Sequence, residues 1–215
     1  RHTRSFHVTG VQTCALPICN DFVPIIPELK LSGCPGIRFV FPSAPSMPVT
    51  VNGGYVMPAW YDIIGRNLMD REDADGILRS ASAITELMKR EHSRGIAYDN
   101  IVLAGFSQGC AMALHIGLRF PHKLAGIIAL SGYLPLAMTL HLEKHSANSK
   151  TPIFMAHGEF DQVVIPERAQ ASHTVLEKLG YDVDWNEYPM EHSVNHEELM
   201  DISRFIQRVL IKPSS

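Results

Sequence analysis

From Ile37 onward, short apolar runs alternate with stretches whose apolar residues recur every three or four positions. The first pattern predicts buried strands and the second amphipathic helices. Their alternation predicts a mostly parallel sheet with helices on both faces, an α/β fold. Strands are expected at Ile37–Phe41, Ile101–Ala104, Leu124–Leu130, Ile153–Ala156 and Val183–Tyr188. One helix is expected at Asp73–His92, with Ile77, Leu78, Ala81, Ile84, Leu87 and Met88 on one face. Others are expected at Gln108–Phe120, Pro166–Leu179 and His196–Leu210, with Gly95, Pro121 and Gly180 as stops. Ser43–Tyr61 contains Pro45, Pro48, Gly53, Gly54 and Pro58 and reads as a long loop, a length that usually carries function. His157–Ile165 and Pro189–Val194 are shorter loops, each placed directly after a strand.

Composition narrows the class without changing this picture. The chain has 215 residues, 46% hydrophobic and 19% charged, which suits one compact domain with a sizeable core. A formal net charge of −3, with no basic block, gives no footprint for nucleic acid or an anionic membrane. No stretch approaches the ~18 apolar residues needed to span a bilayer, so stable membrane insertion is not expected. Cys14, Cys19, Cys34 and Cys110 form no CxxC pair and are too few for a disulfide framework, which favours a cytoplasmic setting.

The N-terminal residues stand apart. Val8–Ile18, VTGVQTCALPI, reads as the conceptual translation of a common short-read sequencing adapter, and Arg1–Arg4 fit the adapter's upstream part. Residues 1–18 are therefore expected to be non-native and to lie outside the domain, which would occupy 19–215 and lack its first core strands. A sheet edge would then be exposed.

The chemistry centres on Gly105-Phe106-Ser107-Gln108-Gly109, a G-x-S-x-G sequence between an apolar strand and a strong helical pattern. A sharp strand-to-helix turn projects a serine hydroxyl clear of the backbone, and flanking glycines avoid steric conflict in it. Serine needs a base, and the base needs orienting. In this arrangement the chain order is serine, acid, histidine. Asp161 follows the strand Ile153–Ala156 and so sits on the same sheet edge as Ser107, with Glu159 as its nearest rival. His192, in the loop after the last strand, returns to that edge, whereas His157 at a strand end reads as structural. His192 and His196 are four apart, but no H-E-x-x-H pattern or third ligand accompanies them, so no metal site is expected.

With these residues in hand, the chain resembles the carboxylesterase, lysophospholipase and acyl-protein thioesterase family of small α/β-hydrolases, in its bacterial carboxylesterase branch. The blocks that carry the resemblance are NDFVPIIPEL at Asn20–Leu29, FPSAPSMPVTVNGGYVMPAWYDI at Phe41–Ile63, GFSQG at Gly105–Gly109, HGEFDQVVIP at His157–Pro166 and YPMEHSV at Tyr188–Val194. The resemblance implies an α/β-hydrolase fold and cleavage of carboxylic esters through an acyl-serine intermediate. Thioesters or lysophospholipids are the alternative substrates on the same triad, and a non-catalytic binding protein is a further alternative that an intact triad opposes. It implies Ser107 as nucleophile, His192 as base, Asp161 as its orienting acid and the Gln108 backbone N–H as one oxyanion donor. It also implies that Met57, Trp60 and Leu134 line an acyl pocket, that no metal or organic cofactor is needed, and that the protein is a monomer or homodimer acting on a small ester or lipid-like molecule. The family's L-H-G-x-G-type loop, source of a second oxyanion donor, has no counterpart before Asn20, where the adapter-like residues stand. Loss of one such donor costs roughly 10²–10³ in rate, so weak activity is expected of this chain.

Overall fold

The computed structural model describes residues 8–14 as backbone, and residues 23–65 and 71–211 in full. Its main sheet has six strands: β1 (Val8–Cys14), β2 (Ile37–Val40), β5 (Ile101–Phe106), β6 (Gly126–Leu130), β7 (Ile153–Gly158) and β8 (Val183–Tyr188). They lie in the order β2-β1-β5-β6-β7-β8, and every neighbouring pair is parallel. The chain steps outward from β1 to β2 and then returns to the other side of β1 with β5. That reversal opens a crevice at the carboxyl ends of the strands, where ligands bind in open α/β sheets.

Two segments differ from expectation. Val8–Cys14, in the adapter-like stretch, pairs with β2 (Val8 with Ile37) and with β5 (Thr9 with Ile101), so β5 is not a sheet edge. Ladder hydrogen bonds use backbone groups and make few demands on side-chain identity. The long loop Ser43–Tyr61 contains an antiparallel ribbon, β3 (Ser46–Val49) with β4 (Tyr55–Pro58). Pro48 and Pro58 are tolerated because a two-stranded ribbon has free edges, so a missing N–H need break no ladder.

Helix α1 (Ala74–Ser93) starts at Asp73, whose side chain accepts the Gly76 N–H at 2.9 Å. Its buried stripe is Ile77, Ser80, Ile84, Met88 and Glu91, while Leu78, expected on that face, is 54% exposed. Leu78 lies about 100° around the helix from Ile77, and the polar Ser80 takes the core position because its hydroxyl donates to the Trp60 carbonyl. Helix α2 (Gln108–Arg119) is buried on nearly every side, as befits a helix packed between the sheet and α1. A short α3 (Ala137–Glu143) follows β6, and α4 (Pro166–Lys178) and α5 (His196–Leu210) complete the set. Alternate residues of each strand face opposite cores: Leu103 and Ile127 pack with α1 and α2, whereas Val102, Ile128 and Phe154 pack with Phe205 and Leu199 of α5. Among the described residues no helix is long and apolar enough to cross a membrane.

Candidate active site

Strand β5 ends at Phe106 and α2 begins at Gln108, leaving Ser107 alone at the turn with φ 56° and ψ −119°. A non-glycine residue in that region costs of the order of 1–3 kcal/mol, so surrounding contacts must hold it there. They do: Ser107 donates its N–H to Leu130 of β6 at 2.9 Å, and its carbonyl receives the Ala111 N–H at 3.2 Å. A Cβ on Gly105 would fall 2.0 Å from the Gly109 carbonyl oxygen, so strand and helix can approach this closely only without one. The outcome is a serine at the sheet's carboxyl edge, facing the positive end of a helix.

His192 Nδ1 lies 2.7 Å from Asp161 Oδ2. A carboxylate only accepts, so Nδ1 carries the proton and Nε2 presents a lone pair. That Nε2 is buried and has no hydrogen-bond partner among the described residues. The other carboxylate oxygen of Asp161 accepts the N–H groups of Val163 at 2.8 Å and Val164 at 2.9 Å. Burial opposes ionisation of Asp161, which is 2% exposed, but the His192 hydrogen bond and the two backbone donors outweigh it and hold the carboxyl below its ordinary range. The rival Glu159 points to solvent. The two loops meet because Gly158 has no side chain: a Cβ there would fall 2.4 Å from the Glu191 and Met190 carbonyls. The Phe106 ring packs on the His192 imidazole with centroids 4.7 Å apart.

Ser107, Gln108 and His192 line one cavity of about 240 Å³. Its apolar wall includes Val49, Val51, Met57, Ile63, Val163 and Val164, and Tyr61, Tyr133 and Arg168 supply polar atoms. A smaller hollow of about 50 Å³ under α5 is lined by aliphatic and aromatic side chains and carries no titratable group. Met57 thus lies where a pocket residue was expected, but Trp60 and Leu134 do not line the cavity. Both side chains are buried in the core beside α1 and α2. Trp60 is turned inward by its backbone, whose N–H donates to Gln108 Oε1 at 2.9 Å and whose carbonyl accepts from Ser80. Leu134 is held by its N–H bond to Ser172 Oγ at 2.9 Å. His196 is exposed at the start of α5.

Three side-chain contributions were not read from the sequence, although Gln108 was expected to give a backbone donor and His157 to be structural. Besides the Oε1 bond to Trp60, Gln108 Nε2 donates to the Tyr61 carbonyl at 2.8 Å, so one side chain pins the segment beside Ser107. His157 Nε2 donates to the Val164 carbonyl at 2.8 Å and lies 3.5 Å from Asp161 Oδ2. Burial pushes its imidazole below the ordinary range, so it remains neutral and does not compete with His192 for the carboxylate charge. Arg168 is the third. It reaches the cavity from the first turn of α4.

Comparison with known proteins identifies the family. Residues 30–210 match the family model described as phospholipase/carboxylesterase. The chain is 44% identical over 184 residues to acyl-protein thioesterase 1 of Neurospora crassa, covering 82% of this chain and 75% of that protein. It superposes on the crystal structure of Arabidopsis thaliana SOBER1 with a TM-score of 0.89 at 28% identity, covering 95% of this chain and 99% of the other. Acyl-protein thioesterase 2 of Zea mays gives a TM-score of 0.85 at 26% identity, covering 98% and 97%. The serine turn, the buried Asp161–His192 pair and these likenesses converge: the chain belongs to the phospholipase/carboxylesterase family of α/β-hydrolase-fold serine hydrolases.

Proposed function

We propose that the protein hydrolyses acyl thioesters, and carboxylic esters of similar shape, through an acyl-serine intermediate on Ser107. The observation that carries this reading is the His192–Asp161 hydrogen bond of 2.7 Å, which leaves an unpartnered Nε2 in the same cavity as Ser107. His192 Nε2 takes the Ser107 proton as the oxygen attacks the carbonyl carbon. The Gln108 N–H, at the start of α2, receives the developing oxyanion. Collapse of the tetrahedral intermediate expels the thiol or alcohol, protonated by His192, and water then releases the acid by the same steps. The loop that would supply a second oxyanion donor has no sequence counterpart before Asn20, and residues 15–22 lie outside the described residues.

General carboxylesterase activity is the broader expectation from sequence. The thioesterase relatives, at 44% identity over 82% of the chain, favour the narrower one. The apolar wall of Val49, Val51, Met57 and Ile63 suits an aliphatic acyl chain in either case. The test is fluorophosphonate labelling together with kcat/KM for matched hexanoyl thioesters and oxygen esters. Labelling that Ser107→Ala abolishes, with faster thioester turnover, supports the reading. An unlabelled, inactive but folded chain removes it.

A further inference from the structure

Among the described residues the cavity is lined by one permanent cation, Arg168, and the proposed reaction does not use it. Arg168 extends from the first turn of α4 so that its guanidinium carbon lies 3.5 Å from the centre of the Tyr133 ring. The Tyr133 hydroxyl is 2.9 Å from that of Tyr61, and all three residues line the cavity with Ser107 and His192. Stacking on an aromatic face fixes the guanidinium plane and leaves its N–H edges directed outward. Among the described residues those N–H groups make no hydrogen bond and no ion pair, although a guanidinium carries five donors.

Glu72 is the carboxylate whose charge acts on Arg168, and it does not occupy those donors. Its Oε2 is engaged by the Leu136 N–H at 2.9 Å, and the two side chains are not within ion-pair distance. Burial also raises the Glu72 carboxyl above its ordinary range, which weakens it as a counterion.

The cavity lining divides by chemistry. Val49, Val51, Met57 and Ile63 offer nothing to a polar group, whereas Arg168 and the tyrosine pair offer nothing an acyl chain needs. An acyl ester or thioester presents two unlike ends, an aliphatic acyl chain and a thiol or alcohol portion. The aliphatic end matches the apolar wall, so the other end meets Arg168.

We propose that Arg168, braced on Tyr133, binds an anionic group carried by the leaving thiol or alcohol, a carboxylate or a phosphate, and so selects anionic acyl esters and thioesters. The inference rests on Ser107 hydrolysis as proposed above and adds the substrate class. A planar fork of donors binds both oxyanions in bidentate fashion, which a lysine ammonium cannot copy.

Two matched pairs test it. S-hexanoyl 3-mercaptopropionate is compared with S-hexanoyl 3-mercaptopropanol, and 1-hexanoylglycerol 3-phosphate with 1-hexanoylglycerol. The charged member of at least one pair should show kcat/KM about tenfold or more above its neutral partner, a ratio that falls with added salt. Arg168→Gln should bring the ratio close to one and Arg168→Lys should leave it intermediate. Taking the ratio within one preparation cancels any change in folded fraction. Preference confined to the first pair identifies carboxylate substrates, and preference confined to the second identifies phosphate. Hydrolysis of the neutral esters with no charge preference, or a preference that Arg168→Gln leaves intact, overturns the inference while sparing the hydrolase reading. Failure to hydrolyse any of the four, with no fluorophosphonate labelling, overturns both.

Discussion

Gln108 Oε1 accepts the backbone N–H of Trp60 at 2.9 Å, across 48 residues of chain, while its Nε2 donates to the Tyr61 carbonyl at 2.8 Å. The residue that follows Ser107 therefore acts twice. Its backbone faces the proposed oxyanion, and its side chain ties the segment after the β3–β4 ribbon to the same turn. Tyr61 then stands in the cavity wall and Trp60 in the core.

Gln108→Ala leaves both of those backbone groups unpaired in a buried setting. Each orphaned group costs about 1–3 kcal/mol, so a loss of roughly 2–6 kcal/mol of stability is expected in thermal or urea denaturation. The backbone N–H at position 108 survives the substitution. Fluorophosphonate labelling of the folded fraction should therefore persist while KM rises, because the cavity wall carrying Tyr61 is no longer fixed. Labelling lost along with KM would show that the side chain acts on the nucleophile itself.

Asp161→Asn separates orientation from folding. The amide oxygen of Asn can still accept from Val163 and Val164, so stability at neutral pH should change by no more than about 1 kcal/mol. The amide NH₂ would face His192 Nδ1, however, and favour the tautomer with the proton on Nε2. That imidazole cannot take the Ser107 proton, and kcat should fall roughly 10³–10⁴-fold. The wild-type carboxyl is held below its ordinary range, so it contributes stability above its unfolded value and loses it as pH falls through the folded one. The Asn variant should lack that acid-side loss, as denaturation between about pH 5 and 2 would record.

The placement of Ser107, Asp161 and His192 on one sheet edge is legible in the sequence because each follows a predicted strand, two announced by apolar runs and Val183–Tyr188 by alternation. Parallel strands of one sheet end on one edge, so three separate stretches of chain predict one site. The glycines add a local signal: Gly105 and Gly158 stand where a Cβ would collide with backbone. What could not be read depends on distant partners. The resemblance implies Trp60 as pocket lining, and only the Gln108 and Ser80 bonds to its backbone turn it into the core. Tyr61 and Tyr133 meet across 72 residues, and no periodicity records that contact. The ribbon β3–β4 was hidden by Pro48 and Pro58, which ordinarily argue against strands.

His157 is a positioning residue for Asp161. Its Nε2–H bonds the Val164 carbonyl, and the Val164 N–H bonds Asp161, so the imidazole fixes the turn that presents the carboxylate. His157→Phe keeps much of the ring volume and removes the donor. The expected effect is a fall in kcat of about 10–100-fold with KM little changed, since displacements of an ångström at a reacting group have that scale. His157→Gln, which can donate from Nε2, should recover part of the rate. A KM change in place of a kcat change would assign His157 to the cavity wall instead.

Glu198 sits in the first turn of α5, 0% exposed, three residues after the Asn195 cap whose Oδ1 accepts the Glu198 N–H at 2.9 Å. Neither of its carboxyl oxygens meets the distance and angle of a hydrogen bond among the described residues. Burial raises the carboxyl from 4.5 to about 8, with the Asn195 backbone opposing and the negative Asp201 assisting. The folded chain thus keeps a proton that the unfolded chain releases near pH 4.5. Its stabilising contribution is complete below that pH and is lost as pH rises through about 8. Glu198→Gln carries no such proton and should match the wild type near pH 4.5. It should exceed the wild type by about 3–5 kcal/mol at pH 9, and its thermal midpoint should vary less with pH between them. Equal pH dependence in both proteins would show that Glu198 is ionised and partnered in the fold.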